Sequence, residues 1–176
     1  MRNPLLEPIA RVVSVVFGGT FAGFLIAVLV LELSLRKFDA SVYTQVRQVE
    51  LDRLDTLASV TLLPTIAATV VLVGISLRWG RPGLGLTAVA LGLLLVVFVT
   101  TIAVNLPINS DQLDWSISNP PADWASDRNR WQIAHAVRTV AAVLAFGCLV
   151  LASGIPRRRP VDDRQPTAAT SGTPGR

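Results

Sequence analysis

The chain has 176 residues, of which 51% are apolar and only 16% are charged, and its mean hydropathy is +0.53. These values exclude an ordinary soluble domain of this size, whose charges would interrupt the apolar sequence every few residues. The net charge of +4 indicates attraction to an anionic lipid surface rather than to nucleic acid. Cys148 is the only cysteine, so an internal disulfide and a dithiol redox mechanism are excluded.

Four apolar stretches without charged residues follow one another along the chain. Each is close to the roughly 20 helical residues that cross a bilayer. The sequence therefore predicts an all-α fold, a four-helix transmembrane bundle within residues 1–156, because helices satisfy their own backbone hydrogen bonds in lipid. The predicted spans are about 12–34, 56–77, 84–106 and 134–155.

The segments between the spans carry recognisable signals. Asp39 can cap a short helix in the first loop, which is expected to lie at the outer face. Residues 78–83 form so short a turn that the second and third spans must be antiparallel neighbours. The fourth helix is expected to extend beyond its span, and residues 157–176, rich in Pro, Thr, Gly and Ala, predict a disordered cytoplasmic tail.

Lys and Arg residues near the spans predict the orientation, since cytoplasmic segments carry the excess. One side has eight of them, against six on the other. The dense cluster at Arg157, Arg158 and Arg159 lies on the richer side. The expected location is the plasma or inner membrane, with both termini in the cytoplasm and with the first and third loops outside.

Polar residues concentrate where the third span ends and the fourth helix begins. At about 100° per residue, the following side chains share an arc of roughly 80°: Trp124, Arg128, Trp131, His135 and Arg138. A central arginine in a membrane helix costs roughly 2.5–3.5 kcal/mol, so partners are expected. Glu32, Asn105 and Asn109 lie at the same predicted depth, and a polar pocket at the outer face could therefore collect them.

Each of these residues also has a simpler explanation. Arg138 could extend to the interface, His135 could be a surface residue, and the tryptophans could form an interfacial aromatic belt. Glu32 could pair with Arg36 at helical spacing, while Asn105 and Asn109 could cap a helix end broken by Pro107.

The available residue types also limit the chemistry. One histidine and one methionine, the first residue, cannot supply paired axial haem ligands. Zinc and non-haem iron usually need two His or Cys ligands, so no metal and no cofactor are expected. Any catalysis would rely on organic acid–base chemistry.

The run TIAVNLPIN at 101–109, followed by Asp123, Trp124, and an Arg-x-x-Trp-x-x-x-His-x-x-Arg pattern from Arg128 to Arg138, resembles a known family. The chain is similar, over roughly residues 10–152, to the DUF1772 or anthrone oxygenase membrane proteins. Named members oxidise an anthrone to an anthraquinone with O₂ and without an evident cofactor.

The resemblance implies a catalytic set of His135, Arg138, Asn105 and Asn109. His135 would take a proton from an anthrone-like phenol, and the other three would stabilise the enolate oxygen. Trp124 and Trp131 would flank the planar substrate, and Arg128 and Glu32 would complete its binding site.

A second interpretation is a non-catalytic membrane protein that uses the same pocket to bind a lipid, a quinone or another aromatic ligand, or that supports a partner. A transporter is a third and weaker interpretation, because four helices alone leave little room for alternating access unless the chain forms a homo-oligomer. The expected partners are membrane lipids and a small aromatic ligand, with no nucleic acid.

Overall fold

The computed structural model describes residues 5–80 and 82–155, and nearly all of this part is helical. Its five α-helices and one π-helical turn are α1 Leu6–Leu35, α2 Ala40–Trp79, α3 Leu84–Thr100, the π turn Thr101–Asn105, α4 Leu106–Leu113 and α5 Trp124–Gly154. The segments α3, π turn and α4 run on as one helix of 30 residues. Four helices are thus long and apolar enough to cross a membrane, which confirms the predicted all-α, four-helix architecture. The predicted tail at 157–176 lies outside the described residues.

The helix expected in the first loop is not a separate element. It is the first part of α2, which continues without a break for 40 residues, and Asp39 caps it by accepting a hydrogen bond from the amide of Val42 at 3.0 Å. At about 1.5 Å per residue, α2 is about twice as long as the hydrocarbon core is thick. Its first turns therefore extend beyond the apolar segment and bring polar side chains over the end of the bundle.

The turn between α2 and α3 depends on two glycines with left-handed backbone conformations. Gly80 has φ 58° and Gly83 has φ 97°, values that other residues rarely adopt. The two glycines therefore end α2 and reverse the chain within a few residues. As the short connection predicted, α3 runs back beside α2.

The apolar core joins α1, α2, α3 and α5. Phe21, Leu25, Leu94, Ala145 and Leu149 are almost completely buried there. Gly19 of α1 lets α5 approach closely, because a Cβ on Gly19 would meet the ring of Phe146 at 3.0 Å. A Cβ on Gly23, four residues later, would have nothing within 4 Å. Of these two glycines, only Gly19 lies at a helix contact in the structure.

The π turn ends at Asn105, two residues before Pro107. Proline lacks an amide donor, and its ring would press on the carbonyl four residues earlier, so a wider turn relieves the helix. After this turn Asn105 and Asn109 both point into the bundle, where each is buried. The π turn therefore places the side-chain amides of Asn105 and Asn109 in the interior, at the end of the bundle where α2 begins.

Candidate functional site

Arg47, from the first turns of α2, is the centre of the polar cluster. Its side chain is only 2% exposed and contacts groups from three other helices. Its Nη1 lies 3.0 Å from Glu32 Oε1 of α1 and 2.6 Å from Glu50 Oε2. Its Nε donates to Gln112 Oε1 and its Nη2 to Asn109 Oδ1, both at 3.0 Å. A buried cation with this many partners has its desolvation cost offset by paired and charge-assisted bonds.

Aromatic rings complete the enclosure of Arg47. Its guanidinium carbon lies 4.1 Å from the ring centre of Trp131, within cation–π distance. Trp131 also stacks on His135, with centroids 4.7 Å apart and planes only 8° from parallel. The indole Nε1 donates to Asn109 Oδ1 at 2.6 Å. Trp131 is therefore a structural member of this network and not simply a residue at an interfacial belt.

The orientation of the Asn109 amide follows from its neighbours. Its Oδ1 accepts from Arg47 and Trp131, so its Nδ2 must face the other way. There it donates to both carboxylate oxygens of Asp55 at 3.2 Å. A chain of hydrogen bonds thus runs from the buried cluster to a carboxylate nearer the surface.

Glu32 is held by Arg47 and by Gln132, whose Nε2 donates to Glu32 Oε2 at 3.0 Å and to the Glu32 carbonyl at 2.8 Å. The alternative partner Arg36 instead donates to Asn129 at 2.9 Å. In the structure Glu32 therefore binds the interior of the cluster, and the sequence-based alternative of a Glu32–Arg36 pair is wrong.

His135 is buried and both of its ring nitrogens face protein groups. Because a carbonyl only accepts, the 3.0 Å contact from Nε2 to the Leu25 carbonyl places the proton on Nε2. Nδ1 is then the acceptor, and Arg138 Nη2 lies 3.5 Å from it. The imidazole is well placed to hold the Arg138 guanidinium in position.

Two adjoining cavities lie beside this network. The smaller, about 30 Å³, is bordered by Arg47, Glu50, Trp131 and His135. The larger, about 230 Å³, lies against α2 and the α3–α4 helix and is bordered mainly by apolar side chains, including Phe21, Leu62 and Phe98. Asp55, Asn109 and Arg138 line both cavities.

The larger cavity is at the periphery of the bundle. Several of its apolar lining residues, Leu63, Ile102 and Leu106, are about half exposed on the outer surface of the helices. An exposed apolar surface on helices of this kind is suited to contact with lipid, and the cavity lies directly beside it.

Arg138, which lines both cavities, has an unsatisfied hydrogen-bond donor. The residue is 6% exposed, and its Nε has no hydrogen-bond partner among the residues that the structure describes. Leaving a buried donor of a charged group unpaired is costly, commonly 1–3 kcal/mol or more. A polar atom of a bound molecule, or a water, would remove this cost.

The other predicted site residues lie apart from the cavities. Asn105 is buried and donates weakly to the Trp131 carbonyl at 3.4 Å. Arg128 stacks over Trp124 at 4.7 Å, and Trp124 in turn packs on Tyr43, 5.6 Å between ring centres. The structure thus groups Glu32, Asn109, Trp131, His135 and Arg138, but not Asn105, Trp124 or Arg128, around Arg47 and the cavities.

The sequence reasoning missed Arg47, Glu50, Asp55 and Gln112. A signal was present: no glycine or proline interrupts residues 40–63, so α2 could have been predicted to begin at Asp39. Tyr43, Arg47 and Glu50 then fall on one helical face at spacings of four and three.

Within the described residues, no group of three or more His, Cys, Asp or Glu side chains is arranged to hold a metal ion.

The fold and the site together define a class: a protein with four helices that suit a membrane, a buried arginine–carboxylate network at one end of the bundle, and an apolar cavity beside it. Within that class, the chain belongs to the anthrone oxygenase family, whose sequence profile matches residues 56–148, just over half of its length. The match includes Asn109, Trp131, His135 and Arg138, while Arg47 precedes it. Searches of curated proteins and of solved structures gave no match.

Proposed function

We propose that the protein is a cofactor-independent oxygenase that oxidises an anthrone-like aromatic substrate taken from the bilayer. The observation that carries the proposal is the larger cavity, where apolar walls meet Arg138, whose Nε has no partner among the described residues. Its volume of about 230 Å³ is somewhat below the roughly 300–1,000 Å³ of pockets for drug-sized ligands. A small planar ring system with one polar edge suits both its size and its lining.

The chemistry needs little from the protein beyond proton transfer and charge stabilisation. Removing a proton from the methylene carbon of an anthrone gives an enolate, whose oxygen can accept a hydrogen bond from Arg138. The enolate passes electrons to O₂, forming a carbon–oxygen bond and a peroxide. Loss of the second methylene proton with cleavage of the O–O bond releases water, so one anthrone and one O₂ give one anthraquinone and one H₂O.

The test is oxygen uptake by membranes containing the protein, compared with membranes from the same cells carrying an empty vector. We expect anthrone-dependent uptake with one O₂ consumed per quinone formed, the quinone being measured by its absorbance. Anthrones oxidise slowly by themselves, so the vector membranes set the baseline. Uptake equal to that baseline would remove the oxygenase proposal.

A non-catalytic role in binding a quinone or another aromatic ligand is the second candidate. It is favoured by the position of His135, whose two nitrogens already contact Leu25 and Arg138. This candidate predicts quinone binding, seen as quenching of tryptophan fluorescence, without any oxygen uptake.

We further propose that the Arg47 end of the bundle faces the outside of the plasma or inner membrane, with both termini in the cytoplasm. The support is the excess of Lys and Arg near the opposite end. Ser116, in the exposed connection between α4 and α5, offers a test. A Ser116→Cys variant should react with a membrane-impermeant maleimide in intact cells, whereas the native Cys148, within α5, should not. Labelling of the Ser116→Cys variant only after lysis would reverse the orientation.

A further inference from the structure

Asp55 is the proton-accepting side chain that borders the larger cavity. Among the described residues that line that cavity, it is the only one with a carboxylate, whereas His135 lines the smaller cavity and not the larger one. The Asp55 carboxylate is also held in position by Asn109, because Asn109 Nδ2 donates to both carboxylate oxygens. Two bonds from one amide fix the direction of the carboxylate without neutralising its charge.

Buried neighbours hold the Asn109 side chain in one orientation. Its amide is oriented by Arg47 and Trp131, which are themselves buried to 2–3% exposure. A carboxylate that accepts a substrate proton must lie at hydrogen-bond distance from that proton, so the residues around the carboxylate must hold it rigidly. The buried cluster therefore has a role for the cavity: it holds the carboxylate in place.

Asp55 and Arg138 line the same cavity, and their opposite charges attract each other across it. No ion pair joins them among the residues of the described chain, although both line the same space. A carboxylate and a guanidinium that remain separate offer a molecule between them one acceptor and one donor. That combination suits a ligand that loses a proton and gains negative charge on oxygen.

We infer that Asp55 is the catalytic base of this site, positioned by Asn109, and that His135 acts through Arg138 as a positioning residue. The inference rests on the proposed oxygenase function. Asp55 takes the first methylene proton of the anthrone and becomes a neutral carboxylic acid, while the enolate charge lies against Arg138. After the carbon–oxygen bond to O₂ forms, Asp55 returns this proton to the peroxide and is regenerated.

The experiment compares Asp55→Asn with Asp52→Asn. Asparagine keeps the size and the hydrogen-bond acceptor of aspartate but has no useful basicity. Asp52 lies three residues earlier on the same helix, with its side chain 70% exposed and paired with Arg53, so it is the matched control. We expect Asp55→Asn to lower anthrone-dependent oxygen uptake by about 100-fold or more, and Asp52→Asn to remain at the wild-type rate.

Three further readouts separate a lost base from a damaged fold. Asp55→Asn should still bind the quinone product with wild-type tryptophan quenching. A smaller variant, Asp55→Ala, should regain activity when formate is added, because formate can occupy the space and accept the proton. A substrate deuterated at the methylene carbon should slow the wild-type reaction if proton removal limits the rate.

The outcomes test the assignment of Asp55 as the base separately from the proposed oxygenase function. An Asp55→Asn variant that consumes oxygen within a few-fold of wild type would overturn the assignment of the base, and a large loss in His135→Gln in the same assay would move it to His135. Absence of uptake by the wild-type protein would instead overturn the proposed function itself. Loss of quinone binding in Asp55→Asn, without formate rescue of Asp55→Ala, would make Asp55 a structural residue and also overturn the assignment.

Discussion

Replacing Arg47 by methionine is expected to lower the free energy of unfolding by about 3–5 kcal/mol, the range for removing one partner of a buried ion pair. The substitution would leave two buried carboxylates, Glu32 and Glu50, without the cation that contacts both. It would also remove the donors to Asn109 and Gln112, which link α2 to α4. Methionine fills much of the space, so the loss would come from stranded polar groups rather than from a cavity.

The measurement is thermal or denaturant unfolding of the purified protein in detergent. The matched control is Arg53→Met on the same helix, because the Arg53 side chain is 88% exposed and pairs only with the neighbouring Asp52. Exposed pairs contribute about 0–1 kcal/mol, so this variant should unfold close to wild type. Equal stability of the two variants would show that the network contributes little to holding the helices together.

A combined variant identifies the origin of the loss. Arg47→Met with Glu32→Gln and Glu50→Gln removes the cation and both of the charges that it neutralises. It should recover part of the stability lost by Arg47→Met alone, since replacing a whole buried ion network is far less costly than breaking one. A combined variant that is less stable than Arg47→Met would mean that the carboxylates stabilise the fold through other contacts, such as the bond from Gln132 to Glu32.

Replacing Arg138 by glutamine is expected to reduce kcat for anthrone oxidation by about 100- to 1,000-fold, the effect of removing a donor that stabilises a developing oxyanion. The guanidinium borders both cavities and its buried Nε has no partner in the described residues. Its interactions with a ligand should strengthen as negative charge appears on the substrate oxygen. The loss should therefore fall on kcat more than on KM.

Steady-state oxygen uptake over a range of anthrone concentrations would measure both parameters. Arg130→Gln is the matched control on α5, because Arg130 has a largely exposed side chain and contacts Asp127 at only 3.5 Å. Its kcat should equal that of wild type. A rise in KM with an unchanged kcat in Arg138→Gln would mean that Arg138 binds the ligand without assisting the chemistry.

The sequence carried most of the information on the helices. Four uncharged apolar stretches were sufficient for the all-α, four-helix architecture, because a polar backbone in hydrocarbon has few alternatives to helix. The cap at Asp39 and the tight turn before Gly83 were likewise local signals. The predicted separation between a helix in the first loop and the second span differs from the structure. Residues 40–55 are more polar than the span that follows, but they belong to the same continuous helix.

The site was predicted only in part. The single face of α5 pointed correctly to Trp131, His135 and Arg138 as neighbours, because helical spacing alone places them together. The partner of Glu32 could not be predicted in the same way. Arg36 is close in sequence, but Arg47 reaches Glu32 across the interface between α1 and α2.

What the sequence determined by itself was where the chain is helical and which helices suit lipid, because both depend on composition and spacing within a single segment. What only the tertiary structure decided was which polar side chains meet. Arg47 reaches Asn109 because α2 extends beyond its apolar segment and a π turn rotates α4. Contacts of this kind depend on the rotation and register of packed helices, which are set by the close fit of side chains such as Phe146 against Gly19.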